Sequence, residues 1–414
     1  MRKTHTKNTL RYYLIVILLL MFLFFSGDFG MIDVQKTAIV MAVGVDRQED
    51  TFIVTSQIAI PQSSKQGGAS ETVQLVSRGK TIADAFEEIN EKTGWYPKLV
   101  FCRLIVLGEK ATQENVFDAL DFFLLDEYMS DNCLIATCDG LAKDILNVTA
   151  LVDKSGSVAM QKVLSQHAER VGTVLPTTLR EFSIGYFSDS KSGFLPVLKT
   201  QPQQEHIGGE TQNGSGGTQN SGGGEAQNSG SSQNASESSG GSSQKKPVFS
   251  ASETALFVFG KRVGTLTEEQ TFAFNAVKKD LRLATYTLQT PDAACSLSIK
   301  RNSPKIKISL GANGQACVRV SVKLSAGLLD YSKALPVEKG ADLGDVPSGV
   351  FFAAEKLLVS QIHETFETCK SVNCDIFGVG EHLQKHEKKN YPQIKDTALK
   401  NASLEVDVRF ENVR

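Results

Sequence analysis

Cysteine is scarce and odd in number: seven in 414 residues, with none before Cys102. That excludes a disulfide-built scaffold and leaves at least one thiol unpaired. Excess charge of either sign is also missing. Lys plus Arg number 44 and Asp plus Glu 46, a formal net of −2, which argues against a nucleic-acid binder and an acidic disordered chain. There is no P-loop, no dinucleotide fingerprint, no convincing nucleophile–base set and no internal repeat. No catalytic, cofactor-binding, metal or lipidation residue is therefore assigned. The chain reads as a binding or assembly protein and not an enzyme. What it has is length and apolar content: 414 residues at 41% hydrophobic allow two or three domains.

One long apolar run stands near the start. Arg2, Lys3, Lys7 and Arg11 precede Tyr12–Phe25, and Ser26, Gly27 and Asp28 end it. Basic residues stay on the cytoplasmic side, so the bulk of the chain is expected outside the cytoplasm. The run is about 14 residues, nearer a signal-peptide core than the ~20 of a full span. Phe24 or Phe25 falls where signal cleavage wants a small residue. An uncleaved membrane anchor over 1–27, lengthened by Met31 and Ile32, is thus expected ahead of a cleaved signal.

The remainder alternates strands and helices. Thr37–Val45 (TAIVMAVGV) is apolar on both faces, as a central strand is, and Phe52–Ile60 puts Phe52, Val54, Ile58 and Ile60 on one face. Thr81 should cap a helix, with Asp84 at the capping-box position. Lys98–Leu107 reads as another apolar strand, and Val116, Ala119, Leu120, Phe123 and Leu124 form one helical stripe. A strand over Asn132–Cys138 closes an N-terminal α/β domain, 28–146. A middle domain, 147–285, should hold a helix over Val158–Arg170 and a strand over Gly193–Thr200, placed at an edge by Pro196. Within it, 201–246 is almost wholly Gly, Ser, Gln, Asn and Glu, and such a composition should be disordered. Order should resume over Glu253–Phe259, followed by a Gly260–Arg262 turn and Val263–Leu266. The polar tract is read as an insert between two strands of one domain; a tether between separate domains is the alternative.

The last unit, 286–414, reads as α+β. Ile306, Ile308 and Leu310 share a face, as do Val318, Val320, Val322 and Leu324 after a Gly311–Gly314 turn. Leu404, Val406, Val408 and Phe410 alternate with Glu405, Asp407, Arg409 and Glu411. A long helix carries Val350, Ala353, Ala354, Leu357, Leu358, Ile362 and Phe366 as its apolar stripe, suited to covering that sheet. The whole is a mixed α/β and α+β fold: an N-terminal anchor, then a three-domain ectodomain, each domain a β-sheet packed with helices.

Four features imitate chemistry. Cys369, Cys374, His382 and His386 follow zinc-finger order, but about seven residues separate the inner pair where the common finger has about twelve. Cys369 fits the end of a helical stripe better, and the histidines a solvated helix face. Cys133 and Cys138 flank one strand, about 16 Å apart at ~3.3 Å per residue, and cannot bridge. Lys305, Lys307, Arg319 and Lys323 make a basic stripe without interleaved aromatics, better read as a solvated sheet face paired with Glu405 and Asp407. Gly378-Val379-Gly380 lacks a third glycine and should be a turn.

Five segments in order resemble the Ger(x)C family, the C subunits of nutrient germinant receptors of endospore-forming bacteria. They are Ile32–Asp46, Lys80-Thr81-Ile82, Val116–Asp126 (VFDALDFFLLD), Glu253–Thr267 (ETALFVFGKRVGTLT) and Cys374–Gly380 (CDIFGVG). The resemblance implies three mixed α/β domains and no enzymatic activity. It implies a membrane-anchored, extracytoplasmic subunit of the spore inner membrane, acting in assembly and signalling of spore germination. Its partners would be a helical A subunit, a multispanning B subunit and the membrane; the composition and missing motifs add no nucleic acid and no cofactor. The family's variable connection between two middle-domain strands matches 201–246, which is longer here than expected. Members normally carry a lipid-modified cysteine after the signal; with Cys102 the first cysteine, anchoring falls to Tyr12–Phe25. Two other classes remain, an extracytoplasmic solute-binding protein, which needs a deep polar cleft, and a surface adhesin, which needs repeats.

Overall fold

The computed structural model describes residues 2–25, 37–59, 72–148, 155–165, 170–201, 248–289, 294–311, 313–332 and 346–413. Helix α1, Arg2–Phe25, comes first, with side chains described for 11–22. Every large apolar side chain there lies open, from Val16 at 52% to Phe22 at 75% exposure. Among the described residues, no helix is long and apolar enough to cross a membrane.

The larger sheet is built around β1, Thr37–Gln48, whose interior residues Val43 and Val45 are wholly buried. β2, Thr51–Ala59, pairs with it antiparallel, and β3, Thr72–Gly79, with β2. Helix α2, Ile82–Thr93, follows. Thr81 caps it by accepting the Asp84 N–H, while the Asp84 carboxylate accepts the Lys80 N–H. The apolar stretch expected as one strand divides into β4, Tyr96–Lys98, and β5, Leu104–Leu107, which meet β1 at successive places. β5 is wholly buried, and Leu99 and Cys102 in the intervening turn are buried as well, so the run of apolar residues continued across the break at Leu99–Arg103. Next come α3, Glu109–Thr112, α4, Phe117–Leu125, β6, Leu134–Cys138, and α5, Ala142–Asn147. α4 buries Phe117, Ala119, Leu120 and Phe123, the expected stripe shifted toward its start.

Helix α6 spans Gly156–Val163, shorter than expected, and the end of that expected helix lies partly outside the described residues. β7, Thr177–Thr178, and α7, Leu179–Phe187, lead into β8, Ser192–Gln201. β9, Val248–Val258, and β10, Lys261–Leu266, form a hairpin. The sheet order is β10-β9-β8-β6-β5-β1-β2-β3, with β4 on β1 and β7 on β6. The N-terminal and middle units therefore share one sheet, where the sequence suggested one sheet each. They join through the parallel pairs Thr137↔Val197 and Cys138↔Leu198. One apolar cluster runs across that join, from Ala38 to Phe257. Pro196 consequently sits in an interior strand and not at an edge. It is tolerated because β8 meets β6 over only two residue pairs, leaving most of that side free of ladder hydrogen bonds. The strands flanking the polar tract pair with each other, Gln201 opposite Val248. The tract's expected disorder concerns 202–247, outside the described residues.

The smaller sheet has the order β11-β12-β13-β14, with β11 at Ala284–Gln289, β12 at Ala294–Leu310, β13 at Ala316–Tyr331 and β14 at Ser403–Asn412. β11 straddles the boundary expected at 285/286. The alternation is as read: Ile306 faces Val320, and Val320 faces Val406. Helix α8, Glu268–Lys278, and the long α9, Ser348–Ser371, cover the apolar face, α9 through Val350, Ala354, Leu358, Ile362 and Phe366. Leu357, expected in that stripe, is 37% exposed. Two short helices, α10 at Val379–His386 and α11 at Tyr391–Ile394, precede β14.

Candidate functional site

The hairpin between β9 and β10 turns at Phe259 and Gly260, whose φ values of 51° and 73° define a left-handed pair. The turn thus begins one residue before the Gly260–Arg262 span expected from sequence, and Lys261 and Arg262 already belong to β10. Gly is required at the second place, since a Cβ there would run into the Asn115 amide oxygen. The Gly260 carbonyl accepts the Val116 N–H at 3.0 Å. Asn115 in turn accepts the Phe117 N–H at 3.2 Å and donates to the Tyr186 hydroxyl at 3.1 Å. The Tyr186 ring stacks on Phe117, centroids 3.7 Å apart. The hairpin tip is thereby tied to α4 and α7.

The segment Cys374–Gly380 closes on the same hairpin from the other side. The Cys374 thiol donates to the Phe257 carbonyl at 3.4 Å, and the Asp375 N–H donates to the Ser192 hydroxyl at 2.9 Å. The Asp375 carboxylate accepts three backbone N–H groups, from Gly378 and Val379 at 2.9 Å and Gly380 at 2.7 Å. It thus satisfies the open start of α10. Phe377 wedges between Phe274 and Phe366, edge to face, with centroids 5.2 and 5.1 Å away. The Lys278 ammonium donates to the Phe377 carbonyl at 3.2 Å. Burial governs the ionisation here. It raises Asp375 against the pull of its three N–H donors, lowers Lys278, and pushes Cys374 up to about 12.

Two clefts flank this seam and share Asp189, Ser190 and Asp375. One, of about 370 Å³, includes Lys191, Phe259, Tyr391 and Lys395 in its wall. The other, of about 530 Å³, includes Glu181, Phe187, Lys278 and Gln384. Gln384 donates to Asp189 at 2.6 Å across the second. A protonated buried thiol is a poor nucleophile, so what Cys374 supplies is packing and a hydrogen bond.

Of the residues singled out in the sequence, Cys369 and Cys374 are wholly buried, while His386 is exposed and His382 half-buried on α10. The two imidazoles lie 4.4 Å apart, and among the described residues no group of His, Cys, Asp or Glu is placed to hold a metal. All seven thiols are free, and Cys133 interacts with Cys102 instead of Cys138. In the basic stripe, Arg319 meets Glu405 at 2.6 Å and Lys323 meets Glu411 at 2.7 Å, whereas Asp407 turns to Arg409. Gly378 starts α10 in a left-handed turn at φ 78°. Sequence reasoning missed Asp375 and Asp46. The Asp46 carboxylate is buried near the C-terminal end of β1 and accepts N–H groups from Ala142 and Lys143. The available signal was a lone acid terminating an apolar strand.

These features define a two-sheet α/β protein whose halves are locked by a hydrogen-bonded, aromatic seam. Residues 30–200 match the family described as spore germination protein N-terminal domain, and 252–414 match spore germination B3/GerAC-like, C-terminal. The chain belongs to this Ger(x)C family of spore germination proteins. Spore germination protein A3 of Bacillus subtilis (strain 168) is 25% identical over 40% of this chain and 46% of its own length. Spore germination protein B3 of the same organism is 27% identical over 34% of this chain and 37% of its own. The chain thus aligns with less than half the length of each. The crystal structure of the GerBC protein superposes with a TM-score of 0.51 at 14% identity, over 90% of this chain and 97% of that one. That likeness establishes the mixed α/β fold.

Proposed function

We propose that the chain is the C subunit of a nutrient germinant receptor, held by α1 at the extracytoplasmic face of the spore inner membrane. The observation that carries this is the in-order match of both germination domains, 30–200 and 252–414. In this role the protein binds the A and B subunits and contributes assembly and signalling, without catalysis. The exposed side chains of Tyr12–Phe22 support the anchor, since no part of the described fold covers them.

Deleting the gene tests the reading. Spores should lose the response to one set of nutrients, and the cognate A and B subunits should fall in amount, because a complex stabilises its folded components by mass action. Germination by a chelated calcium salt, which bypasses nutrient receptors, should persist. Normal nutrient response with unchanged partner levels would remove the receptor reading. An extracytoplasmic solute-binding protein would then lead, with the cleft of about 530 Å³ as its site. Saturable binding of an amino acid or sugar would be its mark.

A further inference from the structure

One end of the larger sheet carries an uncovered aromatic and aliphatic surface. Trp95, Tyr96, Val100, Phe101, Leu125 and Tyr128 are between 41% and 82% exposed. Topology places them together. β1, β5 and β6 run parallel, so Tyr96–Phe101 before β5 and Leu125–Tyr128 before β6 sit at the end where those strands begin. α2 and α4 run back along the sheet and deliver Trp95 and Leu125 to the same end. The Lys98 ammonium lies over the Tyr128 ring, 4.9 Å from its centroid, joining the two segments.

This is also the end at which the chain arrives from α1. Thr37, the first residue of β1, pairs with Tyr96 itself. Twelve residue steps separate Phe25, the last residue of α1, from Thr37. At ~3.3–3.6 Å per residue that tether reaches at most about 40 Å. A helix of open apolar side chains is therefore tethered to the end of the sheet that carries the open aromatic surface. Trp and Tyr suit the boundary between lipid and water, where an apolar ring and a polar tip are both satisfied. The charges alongside are mixed: Lys98 and Arg103 against Asp126, Glu127 and Asp131. Attraction to anionic headgroups is thus not what the surface offers.

We propose that this end of the sheet rests on the bilayer, with Trp95, Tyr96, Phe101 and Tyr128 in the headgroup–acyl boundary. The proposal rests on α1 being a membrane anchor. It goes further in fixing which end of the larger sheet meets the lipid.

Trp95 is the single tryptophan of the chain, so its fluorescence reports on this surface without any substitution. Full-length protein is reconstituted into phosphatidylcholine vesicles, with and without bromine on the upper acyl carbons, and floated on a density gradient. The expected result is flotation, blue-shifted emission, and loss of most of the emission in brominated vesicles at both low and high salt. Flotation with unquenched, red-emitting Trp95 would overturn the proposal while leaving the anchor in place, and would point to a protein partner over the surface. Failure to float would overturn the anchor and this proposal together. Phe101→Ser with Leu125→Ser should float as the parent does yet lose the quenching; quenching unchanged in that variant would also count against the proposal.

Discussion

Asp46 Oδ1 accepts the backbone N–H of Ala142 at 2.8 Å, and its Oδ2 accepts that of Lys143 at 3.0 Å, across nearly a hundred residues of chain. The carboxylate occupies space that Gly108 leaves open, since a Cβ there would collide with Oδ1. The arrangement fixes the start of α5 against the end of β1 and satisfies donors that the helix cannot satisfy itself. Asp46→Ala should strand the buried Ala142 N–H and cost about 1–3 kcal/mol in chemical denaturation. Asp46→Asn, which keeps one acceptor, should cost less. Equal losses from the two variants would show that the hydrogen bonds contribute little.

Asp375 makes a prediction about pH. Burial raises its pKa above the ordinary 3.8, and the backbone donors only partly offset that. A carboxyl whose folded pKa lies above its unfolded pKa holds its proton more tightly when folded. Its contribution to stability is complete below the unfolded value and is lost as pH rises through the folded value. Asp375→Asn lacks this titration. The stability of the parent relative to Asp375→Asn should therefore be greatest near pH 3.5 and shrink toward pH 7. A parent that gains on the variant as pH rises would mean that the three N–H donors outweigh burial.

What the sequence displayed was local periodicity. The two-residue alternation along Val318–Leu324 and Leu404–Phe410 shows one-sided burial directly, and it put Arg319 and Glu405 on the solvated face where they meet. The Thr81 cap was equally plain, because its partners lie within four residues. The joining of two expected domains into one sheet left no such trace, resting on short pairings of β6 with β7 and with β8, two residue pairs each. The seam was hidden for the same reason: Cys374 meets Phe257, and Asp375 meets Ser192, only after both units have folded.

The polar tract gives a prediction opposite in kind, a large change with little effect. Gln201 and Val248 face each other in an antiparallel pair, so a short Gly/Ser turn can span them. Replacing 203–246 by a few such residues shortens the loop by roughly three doublings, which lowers its closure cost by about 2 kcal/mol. The melting temperature should hold or rise. A fall of several degrees would mean that the tract packs on the fold.

The ion pair between Arg319 and Glu405 is short, but both side chains are 67% exposed. Solvent screens such a pair and ordering two long side chains opposes it. Arg319→Ala should leave the melting temperature within error of the parent, at low and at high salt. A salt-dependent loss would show that the stripe acts as a charged network.

Phe366 and Phe377 connect the long helix to the seam. Phe366 is wholly buried on α9, Phe377 follows the Cys374–Asp375 contacts, and their rings meet edge to face at 5.1 Å. Truncating either to alanine removes a large buried ring and opens a cavity, at a cost of about 3–5 kcal/mol each. Because the rings touch, the losses should not add. After Phe366→Ala, Phe377 has already lost one of its two aromatic neighbours and keeps only Phe274. The double variant should therefore be less destabilised than the sum of the singles, by about 0.5–1.5 kcal/mol, the usual worth of an aromatic pair. Urea denaturation of the four proteins measures this coupling. Strict additivity would mean that α9 and the Cys374–Gly380 segment are stabilised independently, and that the seam is not transmitted to the small sheet through this pair.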